Sequence, residues 1–368
     1  MTDWIRAISQ GTATLNDAYD AVKGKITRLL RLEDPIQIMA YRGYGTPEWL
    51  FVKGRVLQDQ GIKIRETKAR LLENVVNMYR RFATDEVPKA RLRVSLGDIY
   101  QEVVTDREGF FETELRPSSP LESDRLWERI DLELLHPLSK RYGAVRDRGQ
   151  VLIVREQARF GVISDIDDTI VETAATDLLK MIRIAYLGNA QTRKPFDGVP
   201  EFYHGLQRGV SGKEGNPIFY VSSSAWNMYD VFEQFMDIKR IPPGPILLRD
   251  IELSLENLLS FKHEIHKIEQ IRPIFERFPH LPFILIGDTG QRDAEIYQNL
   301  VQTYPDRILG VYLRDVTPNN TARHEILKTI EQTIRDLSCS FLVFQNTQDA
   351  IEHAARQGWL EPEKTLVK

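Results

Sequence analysis

The sequence holds a single cysteine, Cys339, in 368 residues, so no disulfide can form within the chain. A fold stapled covalently is excluded, and a reducing compartment is permitted. The same count removes the cysteine clusters that select zinc. No run of about 18 apolar residues occurs, which leaves no candidate for a membrane-crossing helix. An excess of basic charge is also missing: 49 Lys and Arg against 53 Asp and Glu give a net charge of −4, and nucleic-acid binding, which shows a basic footprint, is not expected. The opening stretch MTDWIRAISQ lacks an apolar core of signal-peptide length, so a cytoplasmic location is the expectation. Hydrophobic residues make up 42% of the chain, enough to fill buried cores, and the length suggests two domains or slightly more.

Three regions follow from the pattern. Residues 1–34 form a helical segment, with Tyr19, Val22, Ile26, Leu29 and Leu30 on one face and Lys23, Lys25, Arg28 and Arg31 flanking it. Such a helix either docks on the body of the protein or lies on a membrane surface as a peripheral contact. Over 35–157, short β-rich runs such as ARLRVSL and GFFETEL alternate with turn signals, which predicts an all-β sandwich-like domain. A helix is expected at NVVNMYRRFA within it. From 158 to 368 the apolar runs FGVISDI, NPIFYVSS, LPFILIGD, ILGVYLRD and SFLVFQN alternate with helical stretches. Continuous apolar strands separated by helices predict an α/β domain with a parallel sheet covered on both faces. In such sheets ligands sit beyond the carboxyl ends of the strands.

Those strand ends carry the chemistry. The stretch GVISDIDDTIVET crowds Asp165, Asp167 and Asp168 after one apolar run, and a second acidic loop runs from Asp288 to Asp293. Acids packed together need a cation or protons to offset their repulsion. Oxygen ligands suit Mg²⁺, which commonly serves phosphate chemistry. At a third strand end YVSSS offers hydroxyls and successive backbone N–H groups, from Ser222 and Ser223, as partners for phosphate oxygens. A fixed positive charge is wanted as well, and Lys267 is favoured over Lys262 to supply it. His263 and His266 fall one residue short of the H-E-x-x-H zinc spacing and are taken as ordinary helix residues.

Together these pieces resemble the haloacid dehalogenase superfamily of phosphotransferases, a Rossmann-like α/β fold. Asp165 to Thr169 match its D-x-D-x-T motif, Ser222 its second motif, Lys267 its third, and GDTGQRD its fourth. The resemblance implies that Asp165 is the nucleophile and Asp167 the acid and base. It implies that Asp165, the backbone carbonyl of Asp167, and Asp288 hold Mg²⁺, while Ser222 and Lys267 hold the phosphoryl group. Thr169 braces the motif, Asp168 caps a helix or supports the acids, and Asp293 either holds Lys267 or binds the metal through water. A closer resemblance, densest over 161–316, is to the actin-patch-protein family of Mg²⁺-dependent phosphatidate phosphatases. It rests on SDIDDTI, FYVSSSAWNMYD, HKIEQIRPIFERFPHLPFILIGDTGQRDAEIY and VYLRDV. Ser223 and Ala225 depart from the Asn and Pro expected in the second motif. The Pro-rich tails through which some members bind adaptors are not seen, and IPPGP at 241–245 is taken as a turn.

The family implies a phosphorylated substrate, a lipid phosphomonoester such as phosphatidate. A phosphatase for a soluble metabolite or protein, or a non-catalytic binding module, is the alternative. Residues 174–216 and 225–261 occupy the usual places of cap elements, and 177–188 is either a scaffold helix or a lipid-facing one. Trp226 and Tyr229 either line a substrate groove or pack in the core. Protein partners and the task of the β region are not readable.

Overall fold

The structure, a computed structural model, describes residues 35–58, 86–138, 143–167, 169–170, 196–249 and 263–361. The expected N-terminal helix, the helix at 74–83, Asp168, the segment 177–188 and Lys262 lie outside these residues.

The first half is built on strands β1 (Ile36–Ala40), β2 (Gly43–Thr46), β3 (Trp49–Gln58), β4 (Arg91–Leu96), β5 (Ile99–Val104), β6 (Phe110–Leu115), β7 (Trp127–His136) and β8 (Arg146–Ile153). They join one sheet in the order β1-β3-β2-β8-β7-β4-β5, with β6 on the second edge of β3. The ladder is continuous because the ten residues of β3 pair with β1, β2 and β6 at once. Alternation sets the inward face: Leu92 and Val94 of β4, Phe111 and Leu115 of β6, and Ile130, Leu132 and Leu134 of β7 share one core. The turn between β5 and β6 is fixed by the Asp106 carboxylate, which accepts from the N–H groups of Glu108 and Phe110, both at 2.9 Å.

The second half holds a six-stranded parallel sheet in the order β11-β10-β9-β12-β13-β14. Its strands are β9 (Gly161–Asp165), β10 (Ile218–Ala225), β11 (Ile246–Arg249), β12 (Phe283–Asp288), β13 (Ile308–Arg314) and β14 (Ser340–Phe344). The described helices are α1 (Val199–Arg208), α2 (Tyr229–Lys239), α3 (His263–Arg277), α4 (Asp293–Thr303), α5 (Thr321–Asp336) and α6 (Thr347–Arg356). Side chains alternate between the faces: Val162, Tyr220 and Ile286 meet α1, α2 and α6, and Ile163, Val221 and Leu285 meet α3, α4 and α5. β9 lies between β10 and β12, where the chain's direction across the sheet reverses, so a crevice opens beyond its carboxyl end.

The two halves share side chains. Tyr41 stacks on Trp226 with ring centroids 4.4 Å apart, and the Arg42 N–H donates to the Tyr229 hydroxyl at 2.7 Å. Of the two residues whose place was left open, Tyr229 packs in the core, and Trp226 is buried while also bordering a cavity between the halves. Among the described residues of the expected cap segments, α1 and α2 are likewise core helices, because Phe202, Tyr203, Phe232 and Phe235 are buried against the sheet. Residues 241–245 connect α2 to β11. No helix among the described residues is long and apolar enough to cross a membrane.

Candidate active site

Asp165 ends β9 and Asp288 ends β12; the strands are parallel neighbours, so their carboxylates emerge on the same side. Asp293 opens α4 five residues later. Oxygens of Asp165, Asp288 and Asp293 lie within 4.8 Å of one another, and all three side chains are buried. Lys267, one turn into α3, donates from Nζ to Asp165 Oδ1 at 2.7 Å and to Asp293 Oδ1. Asp288 Oδ1 accepts from the N–H groups of Gly290 at 2.6 Å and Gln291 at 2.8 Å, and the Asp288 N–H donates to Asp293 Oδ2 at 3.2 Å. Gly287 is required here: a Cβ on it would stand 2.3 Å from Asp293 Oδ2. The glycine of the G-D motif therefore makes room for the second acid.

Burial pushes the Asp165 carboxyl well above the usual carboxylate range. Lys267 pulls it back, and Asp293, Asp288 and Asp167 push it up again. Burial disfavours the Lys267 ammonium, but Asp165 and Asp293 hold its pKa above the ordinary value. Asp165 Oδ2 is buried without a hydrogen-bond partner among the described residues. An all-oxygen donor set, mutual repulsion and an unsatisfied carboxylate oxygen together fit a hard divalent cation.

The remaining expected residues surround this cluster. Asp167 is half-buried, and its Oδ2 accepts from the hydroxyls of Ser222 at 2.9 Å and Ser224 at 3.3 Å. Ser222 Oγ in turn accepts from the Ser224 N–H at 3.0 Å. Ser223 is half-buried between them, and none of the described side-chain hydrogen bonds involves it. Thr169 is buried; its carbonyl accepts from Arg314 Nε at 3.0 Å, while its hydroxyl has no partner among the described residues. Asp167 thus faces the serines, and the side chains that converge with Asp165 are Lys267, Asp288 and Asp293.

Ser224 belongs to the YVSSS strand end, but its bond to Asp167 was not foreseen. Several further supporting residues had no place in the sequence reading. Tyr203 of α1 meets Ser164 Oγ at 2.6 Å, and that hydroxyl donates to the Asp165 carbonyl at 2.7 Å. Arg314 ties Thr169 to the Thr347 hydroxyl (3.0 Å), with its guanidinium over Phe196 and Phe344. Burial pulls its pKa down to about 10. Arg323 donates to the carbonyls of Thr289 and Gln291, each at 2.9 Å, and grips Glu295. The sole sequence signal for Arg314 was its position at a strand end in VYLRDV.

A parallel sheet with acids at adjoining strand ends and a lysine between them defines an α/β domain with an acidic cluster that could hold a metal ion. Residues 160–315 match the family described as the catalytic domain of phosphatidate phosphatase APP1. The chain is 31% identical over 194 residues to phosphatidate phosphatase APP1 of Saccharomyces cerevisiae, covering 52% of this chain and 32% of that protein. It is 26% identical over 167 residues to an uncharacterized protein of Schizosaccharomyces pombe, covering 44% of this chain and 26% of that one. The chain thus spans about a third or less of the length of these relatives. A carbohydrate acetylesterase from Xanthomonas citri aligns over 86% of this chain and 72% of its own, at 12% identity and a TM-score of 0.32, which carries no argument.

Proposed function

We propose that the chain is a Mg²⁺-dependent phosphatase of haloacid dehalogenase type that hydrolyses phosphatidate or a similar lipid phosphomonoester, working from the cytoplasmic side at a membrane surface. The observation that carries the reading is the convergence of the Asp165, Asp288 and Asp293 carboxylates, with Lys267 bridging Asp165 and Asp293. The lipid comes from the APP1 relative and its catalytic-domain family. Asp165, Asp288 and the backbone carbonyl of Asp167 would hold Mg²⁺, with Asp293 close enough to join them. The ion supplies charge neutralisation for the phosphoryl oxygens.

In this reading an Asp165 carboxylate oxygen attacks phosphorus, and the bond from phosphorus to the leaving oxygen breaks. Asp167 gives its proton to that oxygen, so diacylglycerol leaves as a neutral alcohol. An aspartyl-phosphate remains, and one hard displacement is divided into two easier ones. Asp167 then takes a proton from the water that attacks phosphorus; phosphate leaves and Asp165 is restored. The hydroxyls of Ser222 and Ser224, now on Asp167, are placed to fix its orientation. Ser222 and Ser223 lie at the strand end where phosphoryl oxygens would be received, and the Lys267 ammonium would supply the positive charge.

Asp165→Asn is the test. It keeps the shape of the side chain and removes the nucleophile, and turnover of phosphatidate in mixed micelles is expected to fall about 10³-fold or more with a cooperative melting transition retained. Full activity in this variant would falsify the assignment. A wild-type kcat/KM that favours soluble phosphoesters over phosphatidate ends the lipid claim and leaves the phosphatase standing.

A further inference from the structure

The ladders that support β10 stop short of its serines. β10 pairs with β9 up to Val221 opposite Asp165, and its register with β11 shifts between Val221 and Ala225. Ser222, Ser223 and Ser224 fall in that gap, so no ladder pair among the described residues sets where they stand.

The residues that follow them are held by the first half of the chain. Trp226, two positions past Ser224, stacks on Tyr41 with ring centroids 4.4 Å apart and planes 19° apart. It meets Phe110 edge-on at 6.0 Å and carries the Lys53 ammonium over its ring at 5.2 Å. Asn227 Oδ1 accepts from Arg55 Nη1 at 3.1 Å. Lys53 and Arg55 are two apart on β3 and share a face. Arg55 is buried, and its other donors are committed. Its Nε reaches the Glu108 carbonyl at 2.7 Å, its Nη2 reaches Glu86 at 3.0 Å, and its guanidinium lies 4.4 Å from the centre of the Phe110 ring. Asn227 is therefore bonded to a fork whose direction is already fixed.

We propose that the first half of the chain clamps the serine loop, with Arg55 as a positioning residue that acts on Ser222 and Ser224 through Asn227 and Trp226. What the two hydroxyls then do, orienting Asp167 and receiving phosphoryl oxygens, rests on the phosphatase reading; the clamp itself is read from the contacts.

The test is Arg55→Met, which removes the three hydrogen bonds and leaves Glu86, already 43% exposed, to water. Hydrogen exchange followed by mass spectrometry is expected to quicken about tenfold over 222–228 and to stay at the wild-type rate over 283–293, which holds the acidic loop. The inhibition constant of orthovanadate should rise about tenfold, with half-saturating Mg²⁺ unchanged. An inhibition constant does not depend on how much of the sample is folded, so a purely stabilising role would leave it alone. Asn227→Ala cuts the same bond from the other side, and combining it with Arg55→Met should add little. Arg42→Gln breaks the ion pairs to Glu233 and Asp237 at the same boundary and should leave both readings at wild type. The proposal is overturned if exchange over 222–228 is unchanged in Arg55→Met, if vanadate inhibits it as strongly as wild type, or if Arg42→Gln gives the same changes. Should Arg55→Met fail to fold, Asn227→Ala decides by the same two readings. A wild type that hydrolyses no phosphoester ends the phosphatase reading alone, and the exchange comparison still decides the clamp.

Discussion

Replacing Arg323 with glutamine separates a residue that holds the metal loop from one that merely ties a helix down. The guanidinium donates to the carbonyls of Thr289 and Gln291, each at 2.9 Å, and those two peptides flank Gly290. The N–H groups of Gly290 and Gln291 hold Asp288 Oδ1. Arg323 therefore fixes the loop that fixes Asp288. Each hydrogen bond from a charged donor contributes about 1.5–3 kcal/mol, and the side chain is only 12% exposed, so solvent replaces little of it. Part of that energy is local and never reaches the ion. Losing an outer partner of a metal ligand costs about 10–100-fold in metal affinity, or about 1.4–2.8 kcal/mol, which lies within what the two bonds supply. The expected outcome for Arg323→Gln is a 10–100-fold higher Mg²⁺ concentration at half-maximal hydrolysis, with kcat at saturating Mg²⁺ reduced by less than about tenfold. Mn²⁺ binding, followed by electron paramagnetic resonance without substrate, should weaken in parallel. Arg323→Lys keeps charge beside Glu295 but cannot fork to both carbonyls, so it should behave more like the glutamine variant than like wild type. If the half-saturating Mg²⁺ concentration is unchanged while the melting temperature drops, the loop does not depend on Arg323 and the reasoning fails.

Three further outcomes are expected. Gly287→Ala would put a Cβ 2.3 Å from Asp293 Oδ2, forcing that carboxylate off Lys267 and the Asp288 N–H. Unpairing buried charge costs about 3–5 kcal/mol, and the melting temperature should fall by roughly 10 °C; an unchanged value refutes the crowding. Burial alone would raise the Asp315 carboxyl, but hydrogen bonds from Gln345, the Thr317 N–H and His324 outweigh it and hold its pKa below the ordinary 3.8. Its stabilisation is therefore complete above that value and lost as pH falls through the lower native one. Asp315→Asn should flatten the acid limb of stability in urea melts taken against pH, and an unaltered limb counts against it. EDTA should abolish hydrolysis and Mg²⁺ restore it; restoration by Zn²⁺ but not Mg²⁺ contradicts the all-oxygen site.

The parts of the site that were legible share a physical reason. Asp165, Ser222 and Asp288 each follow an apolar run, and Lys267 lies in a helix between two such runs, so strand ends and their chemistry appear together in the sequence. What was hidden depends on contacts between distant segments. Arg314 reaches Thr169 across 145 positions, and Arg323 reaches Thr289 across 34, with no spacing rule to announce either. Tyr203 was invisible for another reason: VPEFYHGLQR shows an apolar face but not which surface will cover it. β11, four residues long, is too short to show a period, and β7 buries Ile130, Leu132 and Leu134 behind a screen of Glu, Arg and Asp. Trp226 could not be placed from its own segment because its stacking partner, Tyr41, comes from the first half of the chain.

The charge count at the strand ends separates a structural ion-pair network from a site. Asp165, Asp288 and Asp293 are buried together, and among the described residues Lys267 is the cation inside the cluster. A network kept for stability alone should be near neutral, because each uncompensated buried ion costs several kcal/mol. With all three acids ionised, the state a bound cation would favour, three carboxylates against one ammonium leave two negative charges, the complement of one divalent cation. The scaffold adds what neutral groups can add, with two backbone N–H groups on one oxygen of Asp288. It leaves Asp165 Oδ2 buried and without a hydrogen bond among the described residues. Under the proposed mechanism that oxygen is where satisfying the fold and attacking phosphorus would conflict, since a donor placed on it would block the attack.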